Sequence, residues 1–99
     1  MLYIPLQPVP FQRITVTLAG QPCAIAVRQR STGLFLDLAV SGVDIINGVV
    51  GRDRNLIVRD AYLGFIGDLT FYDTKGFSDP GHTGLGTRFT LLYLTPAEI

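Results

Sequence analysis

Residues 11–40, FQRITVTLAGQPCAIAVRQRSTGLFLDLAV, decide the fold. In Phe11–Leu18, Ile14, Val16 and Leu18 share one side of an extended chain, while Arg13, Thr15 and Thr17 share the other. Ala19-Gly20-Gln21-Pro22 supplies a turn, and alternation resumes in Cys23–Arg30. There Cys23, Ile25 and Val27 point inward, and Ala24, Ala26, Arg28 and Arg30 point out. Ser31-Thr32-Gly33 turns the chain again, and Leu34, Leu36, Leu38 and Val40 then share a face. A period of two broken by short polar turns predicts antiparallel hairpins.

The flanking sequence extends this pattern. Pro5, Pro8 and Pro10 remove backbone donors from the segment Tyr3–Pro10, which therefore runs along an edge or crosses one end of the domain. After the Ser41-Gly42 turn, Val43–Val50 is strand-like but interrupted by Asn47-Gly48, a hairpin dipeptide. Arg52–Arg59 reads as a short helical turn or an irregular crossover. Ala61–Phe65 and Gly67–Thr74 return to a strand pattern, with Gly64 and Gly67 bracketing a bend or bulge. Lys75–Gly86 is a long loop holding four glycines and a proline, and Thr87–Leu94 is the last strand.

Composition agrees. Eight Val, eight Ile, nine Thr and ten aromatic residues stand against a single Glu and a single Lys, which favours pleated, half-buried surfaces over helix surfaces. The 99 residues have room for one domain, residues 1–99. The expected fold is all-β: a small antiparallel barrel or sandwich of about seven or eight strands, with at most one short helical turn.

The chemical inventory is poor. Eight basic residues balance eight acidic ones, which argues against nucleic-acid binding and against a polybasic membrane surface. The proline-broken start is not a signal peptide, and no apolar run is long enough to form a membrane anchor. His82 stands near Asp79, but the available nucleophiles are Cys23, Ser78 and Thr83, and Cys23 sits on an apolar strand face as core filler. One Cys and one His do not make a zinc site, and Asp73 and Asp79 lack the ligand density of a calcium loop. Gly76–Gly86 has no Walker spacing. The reading is no enzyme, no catalytic, cofactor or metal residues, and no cofactor. In Arg52-Asp53-Arg54 and Arg59-Asp60 the alternating signs point to local ion pairs or a subunit contact.

Nearly half of the residues are hydrophobic and only 16% are charged, against roughly a quarter in an ordinary domain. Leu34–Val40 and Thr87–Leu94 carry large apolar groups on both faces. A domain this small buries only about 60–65% of its chain surface, so the excess implies a partner, most simply a homo-oligomer. The competing reading is a closed barrel with a bland exterior.

The order of the turn and strand motifs also resembles a family. Ile4-Pro5-Leu6, Gln12 with Leu18-x-Gly20, and Gly33 followed by Leu36-Asp37-Leu38 open the match. Leu56-Ile57, Tyr62-Leu63 and Gly67-Asp68-Leu69 continue it, and Leu85-Gly86-Thr87, Leu91-Leu92-Tyr93 and Thr95 close it. The chain resembles, nearly end to end, the baseplate plug proteins of contractile-tailed phages and prophages. It departs from them at Cys23, where an aromatic is common, and near Leu34-Phe35, where a tryptophan is usual.

The resemblance implies a structural virion component of the tail baseplate, assembled in the host bacterial cytoplasm. It would join or plug the hub end of the tail tube, with the hub, the tail-tube initiator proteins and copies of itself as partners. The family brings no catalytic residues. The segments expected to make contacts are the proline-rich start (Ile4, Pro5, Leu6), the charged stretch (Arg52, Arg54, Arg59) and the long loop (Phe77, His82, Leu85). The alternative function is a small β-barrel that binds a ligand or peptide, with the 75–86 loop as its lid.

Overall fold

In a computed structural model, which describes residues 2–59 and 65–98, the chain forms seven β-strands in two antiparallel sheets. The strands are β1 (Leu2–Ile4), β2 (Phe11–Leu18), β3 (Gln21–Arg30), β4 (Gly33–Val40), β5 (Val43–Val50), β6 (Asp68–Asp73) and β7 (Phe89–Leu94). The first sheet is the meander β2-β3-β4-β5, and the second has the order β1-β7-β6. The fold is therefore the sandwich of the two architectures expected.

Each hairpin of the meander follows from its turn. Ala19-Gly20 and Ser41-Gly42 all have positive φ, the mirror-image turn whose twist matches that of paired strands. These turns set Leu18 opposite Gln21 and Val40 opposite Val43. Asn47-Gly48 does not turn the chain. It forms a bulge inside β5, where Gly48 has φ +67° and the β4 register slips between Leu36 and Leu38. The strand continues because the Asp37 carboxylate accepts the Gly48 N–H at 2.5 Å, a bond made by a side chain on the neighbouring strand.

The core lies between the sheets. From the meander come Cys23, Ile25, Val27, Leu34, Leu36 and Leu38; from the other sheet come Leu69, Phe71, Phe89, Leu91 and Tyr93. Ile4, Leu6, Leu18, Phe65 and Leu85 close the ends. Phe65 meets Tyr93 edge to face, with centroids 5.8 Å apart. Gly67, at φ +95°, brings the chain into β6 so close to β7 that a methyl group there would strike the Leu94 carbonyl.

Arg52–Arg59 is an irregular crossover rather than a helical turn, running along the free edge of β6. Asp53 bridges Phe71, Leu56 bridges Thr70, and the Arg54 and Ile57 N–H groups donate to the Phe71 and Leu69 carbonyls at 2.7 and 2.9 Å. Among the described residues, short 3-10 turns fall elsewhere, at His82–Gly84 and Pro96–Glu98. The strand expected at Ala61–Phe65 lies outside the described residues up to position 64, and Phe65 is loop.

The exposed apolar side chains are not those of the two strands that carry apolar groups on both faces. Leu92 is buried, and Phe35 and Leu94 are half-buried. Among the described residues the large exposed ones are Leu2, Tyr3, Val9, Phe11, Val43, Ile66, Tyr72 and Phe77. An apolar excess is a property of composition, but where it emerges depends on which strands lie at edges.

Candidate functional site

Aspartates organise the surface around β6. Asp73, 1% exposed, ends the strand on its inner face. Its two carboxylate oxygens take Arg88 Nε and Nη2, each at 2.9 Å, in a bidentate pair. The same oxygens accept the Lys75 and Ser78 N–H groups at 2.9 Å, which folds residues 73–78 into a tight loop. The Arg88 guanidinium holds the Asp73 carboxyl well below the usual carboxylate range, and the two backbone donors act the same way.

Asp68, 3% exposed, lies at the other end of β6. Its carboxylate accepts N–H groups from Ile57, Val58, Arg59 and Leu69 at 2.6–3.1 Å, fastening the crossover to the strand. Asp53 and Asp79 complete the set: Asp53 accepts the Asp73 N–H at 2.7 Å, and Asp79 accepts the Asp53 N–H at 3.0 Å.

On this frame sits Arg54, with φ +59° and its guanidinium between two aromatic rings. The Tyr72 centroid is 4.2 Å away and that of Phe77 4.3 Å, both within cation–π range. Arg54 also donates to the Gly76 and Asp73 carbonyls at 3.0 and 3.3 Å and pairs with Asp53. Phe77 is thus 84% exposed yet held from beneath. Beside it, Arg54, Asn55, Leu56 and Arg59 line an open groove of about 510 Å³.

The structure brings four of the expected contact residues, Arg52, Arg54, Arg59 and Phe77, to this one surface. Arg52 pairs with Asp79 at 3.5 Å, and Arg59 caps the Leu56 carbonyl through Nε at 2.8 Å. The others go elsewhere. Ile4, Leu6 and Leu85, expected at contacts as parts of the proline-rich start and the long loop, are buried in the core of the chain. Pro5 is exposed beside them. His82 is half-buried, and its N–H donates to Gln29 Oε1 at 2.9 Å, while Asp79 serves Arg52 and Asp53 rather than the imidazole.

Sequence reasoning missed Tyr72, although the inward Leu69 and Phe71 imply an outward aromatic at 72. It missed the glutamines as well. Gln21 exchanges two bonds with Ile66, and Gln29 holds the 82–84 turn, so polar side chains on the meander secure loops of the opposite sheet. No local signal announces such partners.

Burial pushes the Cys23 thiol up, away from the nucleophilic thiolate. Among the described residues no three His, Cys, Asp or Glu side chains gather as metal ligands do. The carboxylates here hold backbone and arginine. The molecule is thus, by its fold and surface, an all-β domain that carries a braced aromatic and arginine surface. Over residues 1–96 the sequence matches the family described as Cyanophage baseplate Pam3 plug gp18, and the chain belongs to that family. Its role is that of a structural component of the phage tail baseplate. No curated protein matches the chain.

Proposed function

We propose that this chain, acting as a single β domain, joins or plugs the hub end of the tube in a contractile-tail baseplate, associating with copies of itself and with hub and tube-initiator proteins. Assembly takes place in the host cytoplasm, before the tail is complete, and no catalysis is involved. The observation that carries the docking role is Phe77, exposed yet stacked on the Arg54 guanidinium, which also lies over the Tyr72 ring. A pre-positioned aromatic loses little conformational freedom on binding, and such groups anchor interfaces. The neighbouring Arg54 and Arg59 groove suits an acidic or carbonyl-rich segment of the partner.

The test is co-expression with the hub and tube-initiator proteins of the same tail, followed by affinity capture. The expected result is a stoichiometric complex that Phe77→Ala weakens at least tenfold while leaving the melting temperature unchanged. A chain that purifies alone beside these proteins overturns the reading.

A further inference from the structure

The sandwich defends its sheet edges unequally. β1 is three residues long and runs into Pro5. The edge of β6 is covered by the crossover from Asp53 to Ile57. β5 is bent by its bulge. β2 has none of these devices: it is eight residues long, without proline or bulge, and Arg13 is its one charge. Among the described residues nothing pairs with its outer edge. A long, flat, unprotected edge is a template for another strand.

Its parity is readable. The two-residue turn makes Leu18 and Gln21 a hydrogen-bonded pair, and the Pro10 carbonyl accepts the Gln29 N–H at 2.7 Å in the same phase. The even-numbered residues of β2 therefore bond to β3. Phe11, Arg13, Thr15 and Thr17 hold their N–H and C=O groups toward the open edge.

We propose that β2 pairs antiparallel with β2 of a second copy, about a two-fold axis at Ile14, making one continuous eight-stranded sheet. The proposal rests on the self-association reading above and names its surface. In this register Phe11 faces the partner's Thr17 and Arg13 faces the partner's Thr15, so all four outward residues of each strand find partners. An axis at Arg13 would oppose two like charges and leave Thr17 unpaired; an axis at Thr15 would leave Phe11 unpaired. Side-chain faces agree as well: half-buried Ile14 meets its own copy on the core side, and Phe11, 61% exposed, gains a neighbour on the outer side. Pairing β2 with a neighbour's β5, which would build a ring, meets the bulge instead.

The test uses the full chain. Sedimentation velocity over a concentration series should show a dimer, weakened at least tenfold by Thr15→Pro, since the Thr15 N–H faces the open edge and serves no bond of the fold. Ile14→Cys should form a disulfide-linked dimer under mild oxidation, because non-hydrogen-bonded cross-strand pairs approach closely. Thr17→Cys, opposite Phe11, and the wild type with its buried Cys23 should not. Should Thr15→Pro unfold the chain, the cross-link still decides. A monomer at every concentration overturns both this proposal and self-association. An oligomer indifferent to Thr15→Pro and without the Ile14→Cys cross-link overturns the edge pairing alone.

Discussion

The two sheets are built by different means. The meander joins strands that are neighbours in sequence through turns of two residues, and its inner face is aliphatic. The β1-β7-β6 sheet joins the two ends of the chain to a strand from its second half, and aspartates hold it along β6. Local pairing costs little loop-closure entropy, so alternation and turn chemistry suffice to define the meander. The second sheet closes long loops, and directed charge-assisted bonds make its alignment unique where apolar contact alone would allow slippage.

If that contrast is right, removing one aspartate should cost more than truncating one core leucine. Asp68→Ala leaves four N–H groups at Ile57, Val58, Arg59 and Leu69 without their acceptor. We expect a loss of about 4 kcal/mol in urea unfolding, with amide exchange rising along the crossover and β6 before β3 and β4. Equal acceleration in both sheets would erase the distinction. Leu36→Ala, at the centre of the meander, should cost about 3 kcal/mol by transfer and cavity terms and weaken the fold as a whole.

Acid probes the second sheet selectively. The folded Asp73 carboxyl titrates below its unfolded value of about 3.9, so its stabilisation is complete above that value. As pH falls through and below the ordinary carboxylate range that stabilisation disappears. The melting temperature of the wild type should therefore drop more between about pH 7 and pH 3 than that of Asp73→Asn, and the two curves should converge in acid. Parallel curves would show that the Arg88 pair does not carry the acid sensitivity.

The smallest effect sharpens the local side of the comparison. Ala19 has φ +50°, a left-handed conformation that costs an alanine free energy. Ala19→Asn places Asn-Gly in the β2–β3 turn and should stabilise by about 0.5 kcal/mol, read as a small rise in denaturation midpoint at unchanged slope. No gain would mean that strand packing, not turn chemistry, sets this hairpin.

Legibility followed the same division. The inward set Ile25, Val27, Leu34, Leu36 and Leu38 could be read directly, because a period of two specifies face without knowledge of neighbours. Asn47-Gly48 misled because a hairpin dipeptide and a bulge both demand a positive φ at the glycine, and Asp37, eleven residues before Gly48 and on the adjoining strand, selects the bulge. At the candidate site the arginines and Phe77 were visible as an unusual charge run and a loop aromatic. Their grouping was not, since Arg54 meets Tyr72 and Phe77 only once the crossover lies against β6.

The order of amino acids alone determined the class of fold, the meander's hairpins, the interior face of its strands and the family to which the chain belongs. Those are consequences of short-range geometry and of which side chains avoid water. Only the folded chain decided which edge stays open, which aspartates fasten backbone, and that Arg54 braces an exposed phenylalanine. Each of these depends on groups distant in sequence meeting at hydrogen-bond or ring-stacking distance, and no periodicity along the chain encodes that encounter.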